Sequence, residues 1–220
     1  MGKKKILTKS QEAILHALGE TSLVRERFYL SGGTALAGFY LAHRFSEDLD
    51  FFSEQEVESQ AVFVVLKTLP KEIGILKIDY EQSFNRHLFF LHLKKSVIKT
   101  EFTFFPFPRL ERGMARYGCA IDSVMDIAVN KLFTIYQKPR ARDFIDLYCI
   151  HKKYRHPIVD LVKKAKIKFD WHVDPIQLGT QFLLAGDVQD YPRMIQKLRP
   201  VDWQKFFFSE AKKLEKEIFS

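Results

Sequence analysis

Ser31-Gly32-Gly33-Thr34-Ala35-Leu36, followed by His43-Arg44-Phe45-Ser46-Glu47-Asp48-Leu49-Asp50-Phe51-Phe52, is the stretch on which the reading of this chain turns. A glycine pair opens an apolar segment. In it Leu36, Phe39, Tyr40 and His43 recur at the i, i+3, i+4, i+7 spacing of one helix face, which predicts a helix over Thr34–Arg44. The chain then enters a strand over Leu49–Phe52. Strand side chains alternate faces, so Asp48 and Asp50 point the same way, about 6–7 Å apart. Two carboxylates on one face suit a divalent cation, and glycine amides at a helix start suit a polyphosphate. Nucleotidyl transfer requires that combination. Taken singly, the acid pair reads as a solvated strand end and the glycines as a plain strand-to-helix turn; together, and with a third carboxylate at Glu101, they read as a site.

The surrounding pattern is mixed α and β. A helix is expected over residues 8–19, with Ile14, Leu15 and Leu18 on one face, and a short buried strand over Phe28–Leu30. Val57–Leu69 reads as a helix stopped by Pro70. Strands follow over Ile75–Tyr80, His87–Leu93 and Val97–Phe105, the last two joined as a hairpin by Lys94-Lys95-Ser96. The loop Pro106–Gly118 carries two prolines and two glycines and marks a boundary between lobes. The remainder is helical. Ser123 and Asp126 are spaced as a capping box for a helix to about Tyr136. Further helices are Ala141–Lys152, two or three more, and a last one over 202–218 with Trp203, Phe207, Leu214 and Ile218 on one stripe.

A Mg²⁺ site of this kind usually draws a third carboxylate from a neighbouring strand, and Glu101 is the best placed. It shares a strand face with Thr103 and Phe105, where a buried charge needs a partner. Ser46, two residues before Asp48, reads as a phosphate-binding or turn serine. Arg44 reads as structural or phosphate-facing, and His43 as packed. Lys131 stands in an apolar stretch, from which a flexible point charge reaches phosphates or snorkels to solvent. Asp143 and Asp146 share a helix face beside Arg140 and Arg142.

Residues 28–150 resemble the AbiEii/AbiGii-type nucleotidyltransferase family of abortive-infection toxins. The likeness rests on Gly32-Gly33-Thr34-Ala35-Leu36 and on His43–Phe52, with Val97–Phe102, Asp126–Leu132 and Arg142–Leu147 following in the family's order. It implies a polymerase-β-like α+β fold: a small mixed sheet with a helical C-terminal lobe. It implies that Asp48, Asp50 and Glu101 hold Mg²⁺, or Mn²⁺ in its place; the family more often carries Asp where this chain has Glu101. Gly32, Gly33, Thr34 and Ser46 would hold the triphosphate of an NTP substrate with Lys131, and Asp143 would orient Lys131 or the acceptor. Residues 1–118 would form the catalytic lobe, and 119–220 a lobe that completes the site and carries a basic surface. The family further implies a toxin with an antitoxin encoded nearby.

Composition bounds the partners. The 220 residues carry a formal net charge of +8, which favours an anionic partner. From residue 151 onward stand 14 Lys and Arg against 9 Asp and Glu, more than half of that excess. An RNA acceptor, tRNA included, is the expectation. A small-molecule acceptor, or a non-catalytic nucleic-acid-binding relative of the fold, are the alternatives. No apolar run approaches a membrane span, and the basic start Met1–Leu7 lacks the apolar stretch of a signal peptide. The two cysteines, Cys119 and Cys149, show no ligand spacing, and a reducing cytoplasm is the expected setting.

Overall fold

The fold is taken from a computed structural model that describes residues 6–218, with side chains to 215. The basic start, Met1–Lys5, lies outside the described residues. The chain divides into two compact units: residues 1–108 with 112–123, and residues 109–111 with 124–220.

The first unit is built on a seven-stranded mixed sheet. Its strands are β1 (Tyr29–Ser31), β2 (Leu49–Ser53), β3 (Ile75–Ser83), β4 (Arg86–Leu93), β5 (Ser96–Phe104), β6 (Ala115–Arg116) and β7 (Cys119–Ile121). They lie in the order β3-β4-β5-β2-β1-β7-β6. The β2–β5 and β1–β7 pairs are parallel and the rest antiparallel. β2 alternates, with Leu49, Phe51 and Ser53 buried and Asp50 and Phe52 on the opposite face. Phe51 stacks on Phe102 at 5.1 Å, and Phe28 and Phe89 meet Phe102 edge-on. Helix α4 (Ser59–Lys67) packs on that apolar face through Phe63, 6.3 Å from Phe89. The opposite face is left to the polar side chains of β2 and β5.

Several elements differ from the sequence reading. A short helix α2 (Ser22–Arg27), capped by Thr21, follows α1 (Lys9–Gly19). The helix after the glycines begins as α3 (Gly32–Ala35) and widens into a π turn over Leu36–Leu41. Ala42 N–H donates to Ala37 O, five residues back, and Ala42 turns left-handed at φ 52°. The extra residue rotates the buried face to Leu36, Ala37 and Leu41, away from the i, i+3, i+4 stripe, and the helix ends before His43. The sequence reading divides the chain after Gly118, whereas Cys119–Ile121 pairs with β1 inside the sheet.

The second unit is helical: α5 (Val124–Gln137), α6 (Ala141–Tyr154), α7 (Ile158–Phe169), α8 (Pro175–Leu183) and α9 (Pro200–Ile218). Its core gathers Phe144, Phe182, Trp203 and Phe207, with Phe144 4.7 Å and Phe182 5.1 Å from Phe207. Leu214 joins the buried stripe of α9; the side chain of Ile218 lies outside the described residues. Asp126, in the first turn of α5, is tied to the segment 110–111 and to α7. It accepts from Leu110 N at 2.8 Å and Glu111 N at 3.1 Å, and pairs with Lys168 Nζ at 2.6 Å. Both partners of that ion pair have fully buried side chains. Lys168 therefore leaves the set of basic residues available to a polyanion.

Candidate active site

Strand register lines up the polar side chains of the first unit. Asp50 stands opposite Glu101 across the parallel β2–β5 pair and opposite Ser31 across the antiparallel β1–β2 pair. Directly paired residues share a face, so Glu101, Asp50 and Ser31 form one row across three strands. Ser31 Oγ donates to Asp122 Oδ2 at 2.6 Å, which extends the row to the end of β7. Asp48, one residue before β2, is the next polar position on the same face.

Arg86 and Lys99 lie among these carboxylates. Arg86 on β4 grips Glu101 with two parallel bonds, Nε to Oε1 at 2.6 Å and Nη2 to Oε2 at 2.7 Å. Thr103 Oγ1 donates to the same carboxylate at 2.9 Å. Lys99 Nζ lies 2.7 Å from Asp48 Oδ2 and 3.6 Å from Glu101 Oε2. Burial opposes ionisation of Glu101. The hydrogen bonds and charge of Arg86, with Thr103 and Lys99, outweigh it and hold the carboxyl below its ordinary range. Burial likewise opposes charge on Lys99, and the bond to Asp48 with the nearby carboxylates outweighs it and raises that group.

A depressed folded-state pKa means that ionised Glu101 stabilises the fold above its unfolded value near 4.5. That contribution is lost as pH falls through the lower folded-state value. Glu101→Gln is therefore expected to flatten the fall in melting temperature between about pH 5 and pH 3. Parallel acid melting curves for the two proteins would show that the Arg86 pair contributes nothing.

The glycine turn meets the acid pair directly. Gly32 has φ +70°, and a Cβ there would come within 2.9 Å of Asp50 Oδ2. A Cβ on Gly33 would come within 2.3 Å of Arg44 Nη2 and 3.0 Å of Ser46 Oγ. Only glycine lets the carboxylate, guanidinium and hydroxyl approach the backbone this closely. Thr34 is fully buried and donates its hydroxyl to Asp48 O, so it ties the helix start to the acid-bearing strand. Arg44 is buried and donates to Phe45 O at 2.9 Å, and His43 is fully buried.

Lys131 and Asp143 belong to the second unit, where they form a cluster of their own. Lys131 Nζ lies 2.6 Å from Asp143 Oδ1 and 2.8 Å from Asp146 Oδ2. Arg140 Nε donates to Asp143 Oδ2 at 3.0 Å. Both aspartates are buried, so the two carboxylates fix the position of the ammonium.

The donor chemistry of the first unit fits a divalent cation. Among the described residues no three His, Cys, Asp or Glu side chains form a metal cage. Mg²⁺ does not require one, because it takes one or two carboxylates and fills its other positions with water and phosphate. Asp48 and Asp50 supply that number, and the Lys99 ammonium already places a positive charge against Asp48. Arg86, Lys99 and Asp122 are the residues that sequence reasoning passed over. Lys99 was within reach, since it shares a strand face with Glu101 by the two-residue period. Arg86 and Asp122 come to the row only through strand pairing.

Residues 14–214 match the family described as nucleotidyl transferase AbiEii toxin, type IV toxin–antitoxin system. A 165-residue stretch is 32% identical to an uncharacterized protein, aq_aa25, of Aquifex aeolicus (strain VF5), covering 74% of this chain and 76% of that one. The crystal structure of JHP933 from Helicobacter pylori superposes with a TM-score of 0.62 at 24% identity, covering 95% of this chain and 90% of that one. A second H. pylori structure, described provisionally as a nucleotidyltransferase, gives 0.62 at 24% identity, with 95% and 93% covered. The likeness to these structures is one of fold, α+β with a mixed sheet and helices.

Proposed function

The chain belongs to the nucleotidyl transferase AbiEii toxin family, and from that premise we propose that it moves a nucleoside monophosphate from an NTP to RNA, with a divalent cation at Asp48 and Asp50. The observation that carries the reading is the junction of the acid pair with the glycine turn, where Asp50 packs against Gly32 and Ser46 against Gly33. A bound Mg²⁺ or Mn²⁺ would supply Lewis acidity at the phosphates, and Asp48 and Asp50 are the residues that would hold it. The residues of the chain do the positioning. Thr34 fixes the backbone of Asp48. Gly32 and Gly33 keep the turn open to a phosphate chain, with the Ser46 hydroxyl beside it. Glu101, bound by Arg86, contributes negative charge next to Asp50 and is a third ligand only where it releases part of that pair. In the helical unit, Lys131 is the proposed phosphate-binding group, set by Asp143 and Asp146.

RNA as acceptor rests on the basic surface of the second unit. Lys152, Lys153, Arg155, Lys163 and Lys166 are exposed and Lys164 is half-buried. Phosphate contacts of this kind release counterions and make binding salt-dependent. The family also places the chain in a toxin–antitoxin pair, with an antitoxin as its protein partner.

Incubation with each labelled NTP, Mg²⁺ and total RNA tests the reading, and label on RNA is the expected result. Lys163, Lys164 and Lys166 changed together to Glu should weaken RNA binding across sequences. The slope of log affinity against log salt should flatten by roughly 2. Label on a small acceptor or on protein, with RNA affinity indifferent to salt and to the triple change, would overturn the RNA assignment. Absence of transfer from any NTP would overturn the catalytic one.

A further inference from the structure

Lys99 is the cation on the carboxylate face whose contacts leave it free to exchange. Arg86 is committed: its fork makes two parallel bonds to Glu101, a geometry that resists substitution. Lys99 instead shares one ammonium between two carboxylates at unequal distances, 2.7 Å to Asp48 and 3.6 Å to Glu101. Its side chain is 23% exposed, so water reaches it. It follows Asp48 by strand register, since the neighbouring pair is Leu49 with Thr100. An ammonium on a four-carbon stem is a compact point charge that swings between partners without cost to the backbone.

A divalent cation at Asp48 would share one carboxylate with the Lys99 ammonium, which lies 2.7 Å from Oδ2. Two cations held on one carboxylate repel, so each weakens the other's hold. We propose that Lys99 is an internal competitor for the divalent cation: its ammonium occupies Asp48 in the ion-free protein, and metal binding drives it off. The inference rests on Asp48 being a metal ligand. Two consequences follow. Without metal, Lys99 offsets the repulsion between Asp48 and Glu101. With metal, affinity is lower than the carboxylates alone would give, and by reciprocity the metal weakens the Lys99–Asp48 pair by the same factor.

The test is Mn²⁺ binding to the full-length ion-free protein without nucleotide, read from the EPR signal of free Mn²⁺. Wild type, Lys99→Met and Asp48→Asn are compared, with Lys99→Gln as a second variant and circular dichroism as the check of folding. Lys99→Met or Lys99→Gln should bind Mn²⁺ about tenfold more tightly than wild type. The gain should persist at about 0.5 M KCl, where fields beyond roughly 5 Å are screened. Binding that Asp48→Asn abolishes but that the Lys99 changes leave equal or weaker overturns the competition and leaves the metal site standing. A gain that vanishes in high salt also overturns it, since a long-range field would then explain the difference. Mn²⁺ binding indifferent to Asp48→Asn in every background overturns the metal site itself, and the competition with it.

Discussion

Asp50→Asn is expected to reduce nucleotidyl transfer by about 10³-fold or more, a loss of roughly 4 kcal/mol in the barrier. The amide keeps the shape of the side chain against Gly32, where Asp50 Oδ2 lies 2.9 Å from the Cβ position. It removes the anionic oxygen that a divalent cation needs. The fold should not suffer. Asp50 stands directly opposite Glu101 on a paired strand, and like charges at such positions are mildly destabilising. Circular dichroism of the variant checks that the loss is read on folded protein. Asp48→Asn should act in the same direction on transfer. Residual activity of Asp50→Asn within tenfold of wild type, in folded protein, would remove the acid pair from the reacting centre.

Lys168→Met is expected to destabilise the helical unit by about 3–5 kcal/mol. The cause is what the change leaves behind. Asp126 is fully buried, and the change removes the ammonium 2.6 Å from its carboxylate. Removing one partner of a buried ion pair costs more than the pair contributes. The melting temperature should fall by roughly 10 °C or more. Adding Asp126→Asn should recover more than half of the loss, because the amide removes the charge and its oxygen still accepts from the loop. A change below about 1 kcal/mol for Lys168→Met would mean that the ammonium reaches solvent.

Local periodicity was enough for part of the fold. The alternation through Leu49, Asp50 and Phe51 put the acids on one face and the apolar Leu49 and Phe51 on the other. The strands from Ile75 to Phe105 and the apolar stripe of α9 were legible for the same reason. The glycine pair declared a turn without side chains, and the ordered motifs declared the family. Three features were not legible. The π turn after Gly32–Ala35 turns on one added residue, which the apolar pattern of Leu36–His43 does not distinguish from an ordinary helix. Cys119–Ile121 is too short for a periodic signal and becomes a strand only by pairing in parallel with β1, about ninety residues earlier in the chain. The charge partners were hidden likewise. Arg86 reaches Glu101, Ser31 reaches Asp122, and Lys168 reaches Asp126 across separations of 15, 91 and 42 residues. A charged residue in a sequence looks equally fit for solvent, metal or a buried partner, because its desolvation cost depends on what the fold brings within 3 Å. In the strands, periodicity tells which side chains share a face; which of those charges are already answered by another depends on the pairings that the fold makes.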